Sequence, residues 1–181
     1  MPMPSHEFFP LGDIGHLRDD AESEMLISPI KKSVSHGEQG DVSQQTPAGD
    51  NKPKVLHNYG MPEACKKYSD VSQQRLHPSL DEYFRGLGLK VRDLKAPSHQ
   101  GALRLDAGAS LWPTEGHACV MLPVFHQPLD VVLEVRDRAF EGNVLHYVEN
   151  WVPNMALHLH DKGLIVKGGS IRFVHLLYEV E

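Results

Sequence analysis

Residues 155–181 read MALHLHDKGLIVKGGSIRFVHLLYEVE, and this stretch decides the fold. Its last part, Ser170 to Glu181, is the longest strand candidate in the chain. Side chains alternate across a strand, so Ile171, Phe173 and Leu177 share one face with His175. Val174, Leu176, Tyr178 and Val180 share the other. A strand apolar on both faces must be covered on both, by a second sheet, a helix or a neighbouring subunit. Just upstream, Met155, Leu157 and Leu159 line one face of a strand over Met155 to His160. Asp161-Lys162-Gly163 reads as a tight hairpin connection into Leu164-Ile165-Val166, and Gly168-Gly169 reads as a second. The chain is expected to end as a meander.

The same texture extends back to about residue 101. Ala102, Leu103 and Leu105 suit a short strand. His117 to Val124 suits a buried one. Leu129 to Arg136 places Val131, Leu133 and Val135 opposite Val132, Glu134 and Arg136. Glu141-Gly142-Asn143 offers a turn, Val144 to Glu149 a return strand, and Trp151 to Asn154 a corner. Short strands at roughly ten-residue spacing, punctuated by glycine and proline, predict a mainly β fold for residues 101–181. The expected form is an antiparallel β-sandwich or jelly roll.

Before residue 100 the chain is polar and broken by proline and glycine. Asp19 to Ile30 suits a short helix stopped by Pro29. Lys31 to Lys54 carries few aliphatic residues and cannot bury enough apolar surface to offset its ordering entropy. Residues 1–60 are therefore expected to form an extended polar arm or linker. Residues 61–100 are expected to hold short helical segments docked on the β domain. One runs from Pro62 to about Gln74. The other starts at a capping box, Ser79-Leu80-Asp81-Glu82, carries Leu80, Tyr83, Phe84 and Leu87 on one face, and stops at Gly88.

Composition limits function. The net charge of -6 gives no basic footprint for nucleic acid. No apolar run approaches a membrane span. The first residues lack the basic and apolar regions of a signal peptide, so cytoplasmic synthesis without export, with incorporation into a particle as an option, is the expectation. Two cysteines, Cys65 and Cys119, match no disulfide framework or zinc spacing and fit reduced, buried thiols.

Twelve histidines are the one hint of a metal. His158 and His160, two apart on a strand, point the same way. His146 or His175 could be a third ligand and Glu134 a fourth. Such a cluster resembles that of a cupin, but the glutamate expected after H-x-H is replaced by Asp161, Lys162 and Gly163, and the second cupin motif is missing. A strand face turned to solvent or a subunit explains His158 and His160 without a metal. His175, on an apolar face, fits a core histidine bonded to a carbonyl. Cys119 and His117 lack an orienting third group. No nucleophile elbow or phosphate-binding loop is present. Glu134, Glu141 and Glu149 near strand ends are weak candidates for paired carboxylates.

These features together predict a non-enzymatic structural or interaction protein without cofactor, metal or catalytic residues. Its N-terminal arm would grip a neighbouring protein, or another copy in an oligomer, through Phe8, Phe9, Leu11, Ile14 and Leu17. In kind this resembles virion decoration or cement proteins, a comparison of architecture alone. The alternatives are a small cupin-like β-barrel metalloprotein using the histidine cluster, and a secreted bacterial effector.

Overall fold

The computed structural model describes residues 7–35, 55–127, 131–137, 144–148 and 151–181. Two helices, α1 (Gly15–Ile27) and α2 (Glu63–Gly86), accompany two antiparallel sheets. The larger sheet joins β1 (Glu7–Pro10), β2 (Lys32–Ser35), β3 (Val55–Asn58), β4 (His99–Asp106), β6 (His117–Pro123), β9 (Met155–His160) and β11 (Ser170–Glu179). The smaller joins β5 (Ser110–Leu111), β7 (Val132–Asp137), β8 (Val144–Val148) and β10 (Lys162–Lys167). Their strand orders are β1-β9-β6-β11-β4-β3-β2 and β5-β10-β7-β8, and neither sheet closes into a barrel. The protein is thus mainly β, with a layer of helices on one sheet.

β11 lies at the centre of the large sheet, between β6 and β4. One of its faces, with Ile171 and Phe173, packs with Leu133, Val135, Leu164 and Val166 of the small sheet. The other, with Val174, Leu176 and Tyr178, packs beneath Leu76, Leu80 and Phe84 of α2. The chain's own layers cover both apolar faces, so the strand itself calls for no neighbouring subunit.

The meander is corrected. β9 pairs with β1 and β6, whereas β10 pairs with β5 and β7. The chain changes sheets at Asp161, whose φ of 52° turns it sharply. Leu157 and Leu159 therefore meet Leu164 and Val166 across the inter-sheet core rather than side by side. Gly168-Gly169 likewise carries the chain back to the large sheet, because β10 and β11 do not pair.

The arm is corrected too. β1 pairs with β9, setting Phe8 opposite Leu157 and Phe9 opposite Ala156. Phe9, Leu11, Ile14 and Leu17 are buried in the core beneath the helices, and Phe8 packs on the inter-sheet core. Their apolar area is already spent inside the chain, which removes the basis for a partner-binding role. β2 and β3 extend the large sheet past β4. The boundaries expected at residues 60 and 100 therefore cut through one sheet. Much of the expected linker, residues 36–54, and the turn at Glu141 to Asn143 lie outside the described residues.

α2 is one helix of 24 residues where two were expected. Cys65, Tyr68, Ser72, Leu76, Leu80 and Phe84 form one buried stripe that keeps its phase through Pro78. Burial of that stripe overrides the proline, so Ser79 sits inside the helix rather than capping it. The helix ends where Leu89 N–H bonds Phe84 C=O at 2.9 Å, with Gly88 at φ 69°. At its start, the Glu24 carboxylate of α1 accepts from Ala64 N–H at 2.5 Å, satisfying one free donor of the first turn. Pro78 is exposed and lacks the N–H that the helix would use. Pro78→Ala is expected to stabilise the protein by about 1–3 kcal/mol in urea unfolding. A destabilised variant would show that packing depends on the proline bend.

Candidate functional site beneath the end of helix α2

Ala156, His158 and His160 lie on the helix-facing side of β9, because Leu157 and Leu159 point into the inter-sheet core. His158 is 2% exposed and stands against the edges of two rings. Its centroid lies 5.1 Å from that of Tyr83 and 5.2 Å from that of Phe84. Neither solvent nor a subunit meets this side chain, which corrects that expectation. Burial, and secondarily His160 beside it, pushes the His158 pKa down to about 3, so the ring is neutral near pH 7. Its Nε2 is buried with no hydrogen-bond partner among the described residues.

His160 is held differently. Its Nε2 lies 3.2 Å from the Asp161 carboxylate, while its Nδ1 is buried and unpartnered. Asp161 was read from the sequence only as a turn residue; the turn brings its carboxylate within ion-pair distance of His160.

The surroundings are mostly apolar. In register, Ala118 separates His160 from Tyr178, whose hydroxyl is also buried and unpartnered. Glu7 stands opposite His158 on β1. Burial, then the Glu7 charge, raises the Tyr83 pKa, which places that carboxylate near the aromatic wall. A groove of about 410 Å³ opens at the end of α2, with Phe84, Leu89, Val91 and Leu94 beside Arg85 and Lys90. The Phe84 ring divides this groove from His158.

The other expected ligands lie elsewhere. His175 occupies the inner face of β11, 5.2 Å ring to ring from His99. Burial and then His99 push its pKa down to about 4, against a backbone hydrogen bond with Gly101 that raises it. Glu134 is on the small sheet, bonded to Arg136 at 2.7 Å and paired with Lys167 at 3.3 Å. Burial pushes its pKa up, but these two cations outweigh burial and hold it below the usual range. The side chain of His146 lies outside the described residues, as do Glu141 and Glu149. Among the described residues, no third His, Cys, Asp or Glu joins His158 and His160. Cys119 is fully buried and its thiol is pushed up to about 12, which makes it a core group rather than a nucleophile.

No protein-family model matches the chain, and no curated protein matches it in sequence. Among solved structures it is similar to "Crystal structure of a Pseudomonas putida prolyl-4-hydroxylase (P4H)". The identity is 12%, the TM-score 0.49, and the match covers 97% of this chain and 92% of that one. The expectation of a non-enzymatic virion accessory protein that grips a neighbour with its arm is corrected on the burial of that arm, because Phe9, Leu11, Ile14 and Leu17 are core residues here. No helix among the described residues is long and apolar enough to cross a membrane.

Proposed function

We propose that this chain is a cupin-like, jelly-roll-type metalloprotein of enzymatic character, with His158 and His160 as its protein ligands. The supporting observation is the pair of unpartnered, buried imidazole nitrogens, His158 Nε2 and His160 Nδ1, on one strand face. An imidazole nitrogen is a donor of the kind zinc, copper, iron and nickel accept, and the Asp161 carboxylate lies 3.2 Å from the other ring nitrogen of His160. Two protein ligands leave coordination positions open, and an open position is what lets a metal polarise a substrate or activate water. Bringing a divalent charge into this apolar layer needs a compensating anion. Glu7 or an anionic substrate group fits that need. The arrangement differs from a closed cupin barrel in that the sheets are open and the histidines face the helix layer.

Metal titration of chelator-treated protein tests the reading. One equivalent of Co²⁺ should bind and develop visible absorption, and His160→Ala should weaken that binding by at least about tenfold. His160 is the better probe because His158 also packs against Tyr83 and Phe84. Uptake below a tenth of an equivalent across Co²⁺, Zn²⁺, Ni²⁺ and Cu²⁺ would reject the assignment.

A further inference from the structure

Three strands at the far end of the large sheet bring together a serine, a histidine and an aspartate unused by the site above. Ser33 on β2 stands opposite His57 on β3, and His57 stands opposite Arg104 on β4. Asp106 is two residues beyond Arg104 and so on the same face. Ser33 Oγ lies 2.9 Å from His57 Nδ1, and His57 Nε2 lies 2.7 Å from Asp106 Oδ2. Arg104 Nε donates to the other carboxylate oxygen at 3.1 Å. Both oxygens of Asp106 are thus engaged, and the carboxylate is pinned.

The chemistry has a direction. Asp106 accepts from His57 Nε2–H, which leaves the Nδ1 lone pair to accept from the Ser33 hydroxyl. That is the logic of a nucleophile, a base and an orienting acid, with the two ring nitrogens exchanged relative to the commonest order. The His57 side chain is 13% exposed and sheltered, whereas Ser33 is exposed and reachable. Among the described residues, β2 pairs only with β3, so its outer edge presents backbone N–H groups.

We propose that Ser33, His57 and Asp106 form an acyl-transfer relay for carboxylic esters. Ser33 Oγ bonds to the ester carbonyl carbon while its proton passes to His57 Nδ1. The outer N–H groups of β2 can take the developing oxyanion. The carbon–oxygen bond to the alcohol breaks and His57 returns the proton to the leaving oxygen. Water then attacks the acyl-serine with His57 as base, which releases the acid and restores Ser33. No metal enters these steps, so the relay stands or falls apart from the histidine pair beneath α2.

The test uses the full chain in chelator with 4-nitrophenyl acetate. Wild type should release nitrophenolate and carry an acyl adduct that peptide mapping places on Ser33. Ser33→Ala, at an exposed position, should abolish the adduct with unchanged thermal unfolding. His57→Gln should slow acylation about a hundredfold or more. Equal turnover by Ser33→Ala and wild type, or an adduct mapped to any other residue, would overturn the relay.

Discussion

Lowering the pH from 7 to 5 should cost this protein about 4 kcal/mol of stability, through His158 and His175 alone. Both rings are buried, and burial is the first cause of their depressed pKa values, about 3 and about 4. In the unfolded chain each titrates near 6.5. Between pH 4 and 6.5 the unfolded state therefore binds protons that the folded state refuses. Stability rises with pH across that window and falls as acid is added. From pH 7 to 5 each histidine contributes roughly 2 kcal/mol, against a typical total of about 5–15 kcal/mol. The carboxylates held low, Glu134 and Glu179, act at more acidic pH and do not blur this range. Urea unfolding at pH 7, 6 and 5 reads the slope directly. His158→Leu should remove about half of it, and an unchanged slope would show that His158 is not held neutral.

The second large effect is expected from a residue that sequence alone assigned to a loose arm. Leu11→Ala should destabilise the chain by about 2–5 kcal/mol, because it leaves a cavity that the core can only partly collapse. Leu11 is 1% exposed and its N–H bonds Asn154 C=O at 2.8 Å. Leu26, on the outer side of α1, is 60% exposed and provides the contrast. Leu26→Ala should stay within about 0.5 kcal/mol of wild type. Denaturation midpoints at a constant slope measure both, and equal effects would contradict the burial of the N-terminal segment.

These outcomes separate local from long-range information. Period-two alternation in residues 155–181 marked three strands; β9 and β11 begin where it placed them, and β10 begins two residues earlier, at Lys162. It also required cover on both faces of β11, which the small sheet and α2 supply. Partners were not legible. Asp161-Lys162-Gly163 has the composition of a hairpin turn, yet the strands it joins belong to different sheets. Alternation reports which side of a strand is apolar, and Leu157 and Leu164 satisfy that rule equally well paired or stacked. Pro78 and Ser79 misled for a related reason. Their local preference favours a break, but the buried stripe from Cys65 to Phe84 outweighs it. Phe9, Leu11, Ile14 and Leu17 fit no period because they follow a short strand, a turn and a helix start in succession.

The histidine pair was half legible. Spacing put His158 and His160 on one face, but only the docking of α2 decided that the face is buried and that two ring nitrogens lack partners. The serine relay was not legible at all, since Ser33, His57 and Asp106 are spread over more than seventy residues of chain with no motif to link them. By itself, the sequence determined strand periodicity, the apolar faces and the supply of imidazoles, all of which depend on neighbours along the chain. The tertiary structure decided strand partners, burial and which polar groups meet. Those depend on contacts between distant segments, whose free energy is set by the packed layers as a whole.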